Sequence, residues 1–549
     1  MDSYSSSALF RFFLKEQDHP TETENEIKKQ FSEKGWTQEQ VYYFINNYKD
    51  IMYTEENIVK YVDLVSFFQY DMENDFANYI LYTYRIKRHF LDRIYGYGCI
   101  IDAVCKLCEK DKDKILNDEL LIYLSNYIEI DKLDASYNNK ITNEGIKHMQ
   151  LHTLDARYSH ITDEGIKHMQ LHTLYASDFM TNKGIKHMQL HTLGVSGCMT
   201  DEGIKHMHLH TLNAKYSNLT DEGIKHMQLH TLNAQRSKIT DEGIKHMLLR
   251  TLYTSEYMTN KGIKHMQLHT LDAGYSQITD EGIKQMQLHT LYASGSNLTD
   301  EGIKHMLLHT LHVSKHMTNE GIKHMQLHTL YASWSKITDE GIKHMQLHNL
   351  NASWSNITDE GIKHMQLHTL DASDSKITNK GIKHMQLHTL DASHSKITDK
   401  GIKYMQLHTL DASDSEITDN GIEHMQLHTL HASWSRITNE GIKHMQLHTL
   451  GASEHMTDEG IKHMQLHTLV ASRNMTDEGI KHMHLHTLNA SKSNITDEGI
   501  KHMQLHTLFA SEHMTDEGLK HMNLYTLYTI YSKITDEGIK HMQLHTLCI

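Results

Sequence analysis

Residues 327–346 read LHTLYASWSKITDEGIKHMQ, and the chain writes this stretch again and again. A glycine in the same setting, followed by Ile or Leu and then Lys or Glu, recurs at Gly145, Gly165, Gly184, Gly203 and onward to Gly538. That makes 21 copies spaced 19 or 20 residues apart. A fixed period of this length belongs to a solenoid, in which each unit touches only its neighbours.

One unit, numbered from Leu327 as the first place, shows why it must stack. Leu327, Leu330 and Ala332 have the alternation of a short strand, and Ser335 and Ile337 follow as a turn. Thr338 is a good N-cap, and Asp339 and Glu340 put negative charge at the positive end of a helix. Ile342 and Met345, three apart, predict an inward face on a helix of about two turns. Burying five large apolar side chains yields about 10 kcal/mol. Fixing 20 backbones costs at least about 20 kcal/mol. A single unit therefore cannot fold alone, and neighbours must share strand hydrogen bonds and one continuous core.

The spacing L-x-x-L-x-A-x-x-S-x-I resembles the leucine-rich repeat consensus, and the I-T-D-E-G-I-K-H-M that follows is similar to the cysteine-containing subclass found in F-box substrate receptors. The resemblance covers about residues 130–549. It implies an α/β horseshoe of about 21 units, with a parallel concave sheet and short convex helices. Two departures stand out. Ala332 sits where Leu is usual, and Ser335 sits where Asn or Cys bonds the neighbouring backbone, which predicts a thinner core and a weaker ladder. Arrays this uniform also resemble those of giant DNA viruses and amoeboid protists.

Residues 1–129 carry no repeat. Val41, Phe44, Ile45 and Tyr48, then Ile58, Tyr61, Val62, Val65 and Phe68, have helical spacing, which predicts an all-α N-terminal domain. Two jobs suit it: capping the first strand at Ile130–Ala135, or docking to other proteins as the resemblance to F-box receptors implies. No Leu-Pro start or F-box spacing is present. Cys105 and Cys108 form a lone C-x-x-C with no second pair, which reads as two helix cysteines rather than a metal or redox site.

The net charge is −15 with His neutral, so no basic surface argues for nucleic acid. Five scattered cysteines make no disulfide framework, which fits the cytoplasm, or the host cytoplasm for a viral protein. No run of 18 apolar residues predicts a membrane span, and the first residues do not read as a signal peptide. The sequons at Asn218, Asn297, Asn356, Asn474 and Asn494 are idle in that compartment.

Seven units are one residue short before the helix, and each has Met in place of the turn's Ile or Leu: Met180, Met199, Met258, Met317, Met456, Met475 and Met514. The 49 histidines fall mostly in two rows, one after the helix Lys (His344) and one at the second place (His328, His348). The spacing H-x-x-x-H suggests a zinc pair, but the second His lies past the helix and no fixed carboxylate or cysteine completes a site. There is no phosphate-cradling glycine loop and no nucleophile elbow. The sequence predicts no catalysis, no cofactor and no metal.

Variation between copies is greatest at the fifth and eighth places, both predicted to project from the strand onto the concave face. In residues 327–435 they bring Tyr331, Trp334 and Trp354 to one end and His431 and Trp434 to the other. Asp371, Asp374, Asp391, Asp411 and Asp414 lie between. Aromatic residues on an open sheet suit recognition, and a row of carboxylates suits a basic segment. The sequence reading is a protein–protein interaction scaffold. The alternatives are a substrate-recognition subunit of an F-box-type ubiquitin ligase and a structural array without a specific partner. The last residues, Leu547-Cys548-Ile549, fall inside a strand, which predicts end-to-end self-association through an uncovered edge.

Overall fold

The computed structural model describes residues 108–109, 116–125 and 129–548, apart from 523, 543 and 545. It divides into two compact units, Met1–Asp134 and Ala135–Ile549. In the first, the described elements include helix α1 (Asp118–Leu124) and strand β1 (Lys132–Asp134). The all-α domain expected over residues 1–129, and its capping or docking role, otherwise lie outside the described residues, as does Cys105; Cys108 is buried.

The second unit is the solenoid. Strands of three residues alternate with helices of one turn, from α2 (Asn143–Ile146) and β2 (Thr153–Asp155) to α22 (Asp536–Ile539) and β22 (Thr546–Cys548). Its strands, β2 to β22, form one sheet. Consecutive strands from β2 onward pair in parallel with like places opposite, as in Leu330↔Leu350 and Leu350↔Leu370. Strands lie about 4.8 Å apart while helices need about 8–10 Å, so the stack curves with the sheet inside.

The core repeats as predicted. Leu327, Leu330, Ala332, Ile337, Ile342 and Met345 are all buried, and so are their counterparts in nearly every unit. The helix is shorter than expected: it ends at Ile342, and Met345 enters the core from the turn behind it, its amide bonded to the Ile342 carbonyl at 2.8 Å. Only four residues separate the N-cap Thr338 from the chain's turn back to the next strand, which leaves no room for a second turn.

Neighbouring units interlock through the T-D-E-G segment. Asp339 accepts from the Thr358 amide at 2.7 Å and from its hydroxyl at 2.6 Å, in the next unit. Where Asn replaces Asp the donors reverse: Asn319 Nδ2 donates to Thr338 Oγ1 at 2.8 Å, while its Oδ1 still accepts the Thr338 amide at 2.9 Å. Thr358 in turn accepts the Glu360 amide as an N-cap, whereas Thr338 makes no such cap bond. The recurring glycine belongs to the same device. A Cβ on Gly361 would lie 2.5 Å from Asp339 Oδ1, so the carboxylate that grips the next unit fits only over a bare Cα. Glu340 pairs with Lys343 on the outer surface at 2.6 Å.

The short units use serine differently. In a long unit the ninth-place Ser335 donates to its own Ala332 carbonyl at 2.6 Å, so it makes no ladder between units there, in keeping with the weaker ladder expected. In the seven short units the seventh-place serine turns inward and donates to the preceding unit's carbonyl, as Ser314 does to Leu298 at 2.5 Å and Ser472 to Met456 at 3.0 Å. Removing one residue thus exchanges a bond within the turn for a bond between units, with the turn methionine fully buried beneath it.

Candidate partner-binding face

Along most strands the fourth place points into the core, and the third and fifth stand half-buried on the open face of the sheet, as in Thr369, Leu370 and Asp371. The fifth-place residues therefore lie where the sequence placed them, in register across β11 (Thr329–Tyr331), β12 (Asn349–Asn351), β13 (Thr369–Asp371), β14 (Thr389–Asp391), β15 (Thr409–Asp411) and β16 (Thr429–His431). Tyr331 begins the row, stacked on His312 at 3.7 Å, and His431 ends it beside Asp411.

The eighth-place residues do not project from the strand. Trp334, Trp354, Asp374, His394, Asp414 and Trp434 all have φ between 48° and 61°. This left-handed conformation, which glycine occupies in one unit (Gly295), reverses the chain after the strand and sets these side chains on the rim of the face. The candidate residues consequently form two parallel lines, an inner one at the fifth place and an outer one at the eighth. Trp334 and Trp354 stack at 4.6 Å with 10° between planes and are 69% and 50% exposed. His394 Nδ1 lies 2.9 Å from Asp414 Oδ2. Trp434 stands five strands from Trp334, about 24 Å along the sheet. Lys492 lies 5.6 Å from its ring, brought within reach because the two intervening units are short.

The inner carboxylates have structural work that sequence reasoning missed. Asp371 accepts from Ser373 at 3.0 Å (amide) and 2.6 Å (hydroxyl), and from Asn351 Nδ2 at 2.6 Å. Asp391 accepts from the same two groups of Ser393, and Asp411 from the Ser413 amide. Each closes the turn that follows its strand, and Asn351 does the same for Ser353. The D-A-S and N-A-S tripeptides were the available signal. Burial raises the Asp391 pKa, opposed by the Ser393 bonds and reinforced by Asp411 and Asp371. The outer line, with Asp414 exposed, carries the carboxylates most open to a ligand.

The second-place histidines form a ladder at the other end of the strands. Rings stack from His152 to His230 and again from His269 to His506, at centroid spacings of 4.6–4.9 Å, with Arg250 breaking the series. Nδ1 of most rings lies near the hydroxyl of the following Thr, as in His388 and Thr389 at 3.4 Å. Burial first, and then the neighbouring rings, lower the pKa of His172, His289, His328 and His388. Among the described residues no group of three or more His, Cys, Asp or Glu is placed to share a metal ion. No helix among them is long and apolar enough to cross a membrane.

No protein-family model matches this chain, and no curated protein matches it. The repeat geometry is that of a leucine-rich-repeat-like solenoid, an architecture typical of protein-interaction scaffolds.

Proposed function

We propose that the array is a non-catalytic scaffold that binds another protein through a basic segment, on the face bounded by Tyr331 and Trp334 at one end and Trp434 and His431 at the other. The observation that carries this reading is the exposed Trp334–Trp354 stack on the same rim as Asp374 and Asp414, beside the inner row Asp371, Asp391 and Asp411. Lysine or arginine side chains would meet carboxylates between the ends and aromatic faces at them. Lys492 over Trp434 is a contact of that kind made within the chain. The ligase-receptor alternative depends on residues 1–129, and the array adds no observation specific to it.

A fluorescent lysine-rich peptide tests the reading by titration at two salt concentrations. Trp354→Ala with Asp414→Asn is expected to weaken binding by about 1–2 kcal/mol and to flatten its salt dependence. Asp391→Asn with Asp411→Asn is expected to weaken it as well, without loss of stability, because Asn351 already makes the same turn bonds. Changes at Asp155 and Tyr175 should matter less. Equal affinity for all variants would place the binding surface elsewhere.

A further inference from the structure

The solenoid meets itself. Tyr525, in the unit of β21 (Thr526–Tyr528), donates its hydroxyl to Asp178 Oδ2 at 3.2 Å, and the two residues are 347 positions apart. Its ring packs edge-on to Tyr158 at 5.9 Å. The Tyr137 ring lies 4.5 Å from that of Tyr158, tilted by 31°, and 6.0 Å from His506, while His486 Nε2 lies 3.3 Å from the Tyr137 carbonyl. These contacts join the turn side of the first units to the histidine side of the last, so the coil overlaps like a lock washer. Tyr525 is 2% exposed and His506 3% exposed, whereas the same column is open to solvent through most of the array. The sequence marks the seam too. Tyr525 is the one aromatic hydroxyl in a column that otherwise reads His, apart from Asp131 in the first unit and Arg250.

From β2 to β21 there are 19 strand steps, and at about 4.8 Å each they give a circumference of roughly 90 Å and a ring about 29 Å across between backbones. A helical layer about 10 Å further out then advances about 8 Å per unit, an ordinary helix packing distance, so closure is consistent with the curvature. Side chains about 5 Å long on each wall leave an opening of roughly 19 Å, enough for one α-helix of about 10–12 Å diameter or for extended chain, and too narrow for a folded domain.

We propose that the Tyr525–Asp178 seam fastens the array into a closed ring whose sheet face is a bore, entered only along its axis, and that the occupant is a slender basic segment of a partner protein. The occupant rests on the reading above, since Asp371, Asp391 and Asp411 line this bore. One mouth carries the eighth-place rim with Trp334 and Trp354, and the other carries the histidine ladder.

The test uses the full chain with two readouts. Spin labels are introduced as unnatural amino acids at exposed Glu164 and Glu517, on the two sides of the seam. Their distance distribution is expected to be narrow in the parent and broader and longer in Tyr525→His, which gives the unit the residue its neighbours carry. Asp178→Asn serves as a second variant if Tyr525→His melts early by circular dichroism. The lysine-rich peptide is then compared with the same peptide bearing a folded domain at each end, on a linker no longer than the bore. The parent should bind the blocked peptide at least tenfold more weakly than the free one, and the opened variant should bind both alike. A broad distance distribution in the parent, or equal binding of both peptides by it, overturns the closed bore. A narrow distribution with no binding of either peptide leaves the ring closed and overturns the basic occupant together with the proposed function.

Discussion

Lowering the pH from 7 to 5 should destabilise the array through its histidine ladder. Among the described residues, 16 contacts join consecutive second-place rings, four in the first run and 12 in the second, most near 4.7 Å. Two imidazolium charges at that separation repel by about 0.9 kcal/mol in water, and by about 0.5 kcal/mol with physiological salt. A fully charged ladder would thus carry roughly 8 kcal/mol, comparable to the whole stability of an ordinary domain. The folded pKa values of His172, His289, His328 and His388 are lowered, and burial pushes His312 down to about 4. A lowered histidine contributes stability that is complete above the unfolded value of about 6.5 and is lost as pH falls from there toward the folded value. The outer glutamates do not share this window. Their hydrogen bonds to Lys lower Glu340 and Glu360, so their contribution persists until the pH drops through the ordinary carboxylate range. Thermal melts at pH 7.5, 6.5, 5.5 and 5.0 are expected to show a steep fall between 6.5 and 5. In 1 M salt the fall should be much shallower, because the repulsion drops to about 0.2 kcal/mol per contact. A melting temperature flat across pH 6.5–5.0 at low salt would show that the ladder does not control stability.

Arg250→His should join the two runs of the ladder, raising stability at pH 7.5 by about 0.5–1 kcal/mol through the added ring contacts and losing that gain by pH 5, as read from urea midpoints at both pH values. Gly361→Ala should cost about 1–3 kcal/mol, since its Cβ would meet Asp339 Oδ1, whereas Gly197→Ala, with nothing near its Cβ, should be close to neutral in the same titration. Asp359→Asn should be nearly silent, because Asn319 and Asn379 grip the following Thr equally well, while Asp359→Ala should lose about 1–3 kcal/mol by leaving the Thr378 amide without its acceptor.

The sequence alone determined the solenoid, the period of its core and the column to which each residue belongs. It could do so because leucine, isoleucine and methionine at fixed spacing have only one way to leave water, and copying the unit 21 times repeats that instruction. It also placed Asp371, Asp391, Asp411 and His431 on the open face, since strand alternation is local. Most of what it could not decide depends on contacts between neighbouring units or more distant ones. The pairing of Asp339 with Thr358, and the need for Gly361 beneath it, exists only when two units are side by side. The eighth place looked like a strand position because its left-handed backbone is set by the turn, which nothing in tryptophan or tyrosine announces. Closure is the most remote property of all. It is the sum of small angles over 19 units, so only the tertiary structure brings Tyr525 to Asp178.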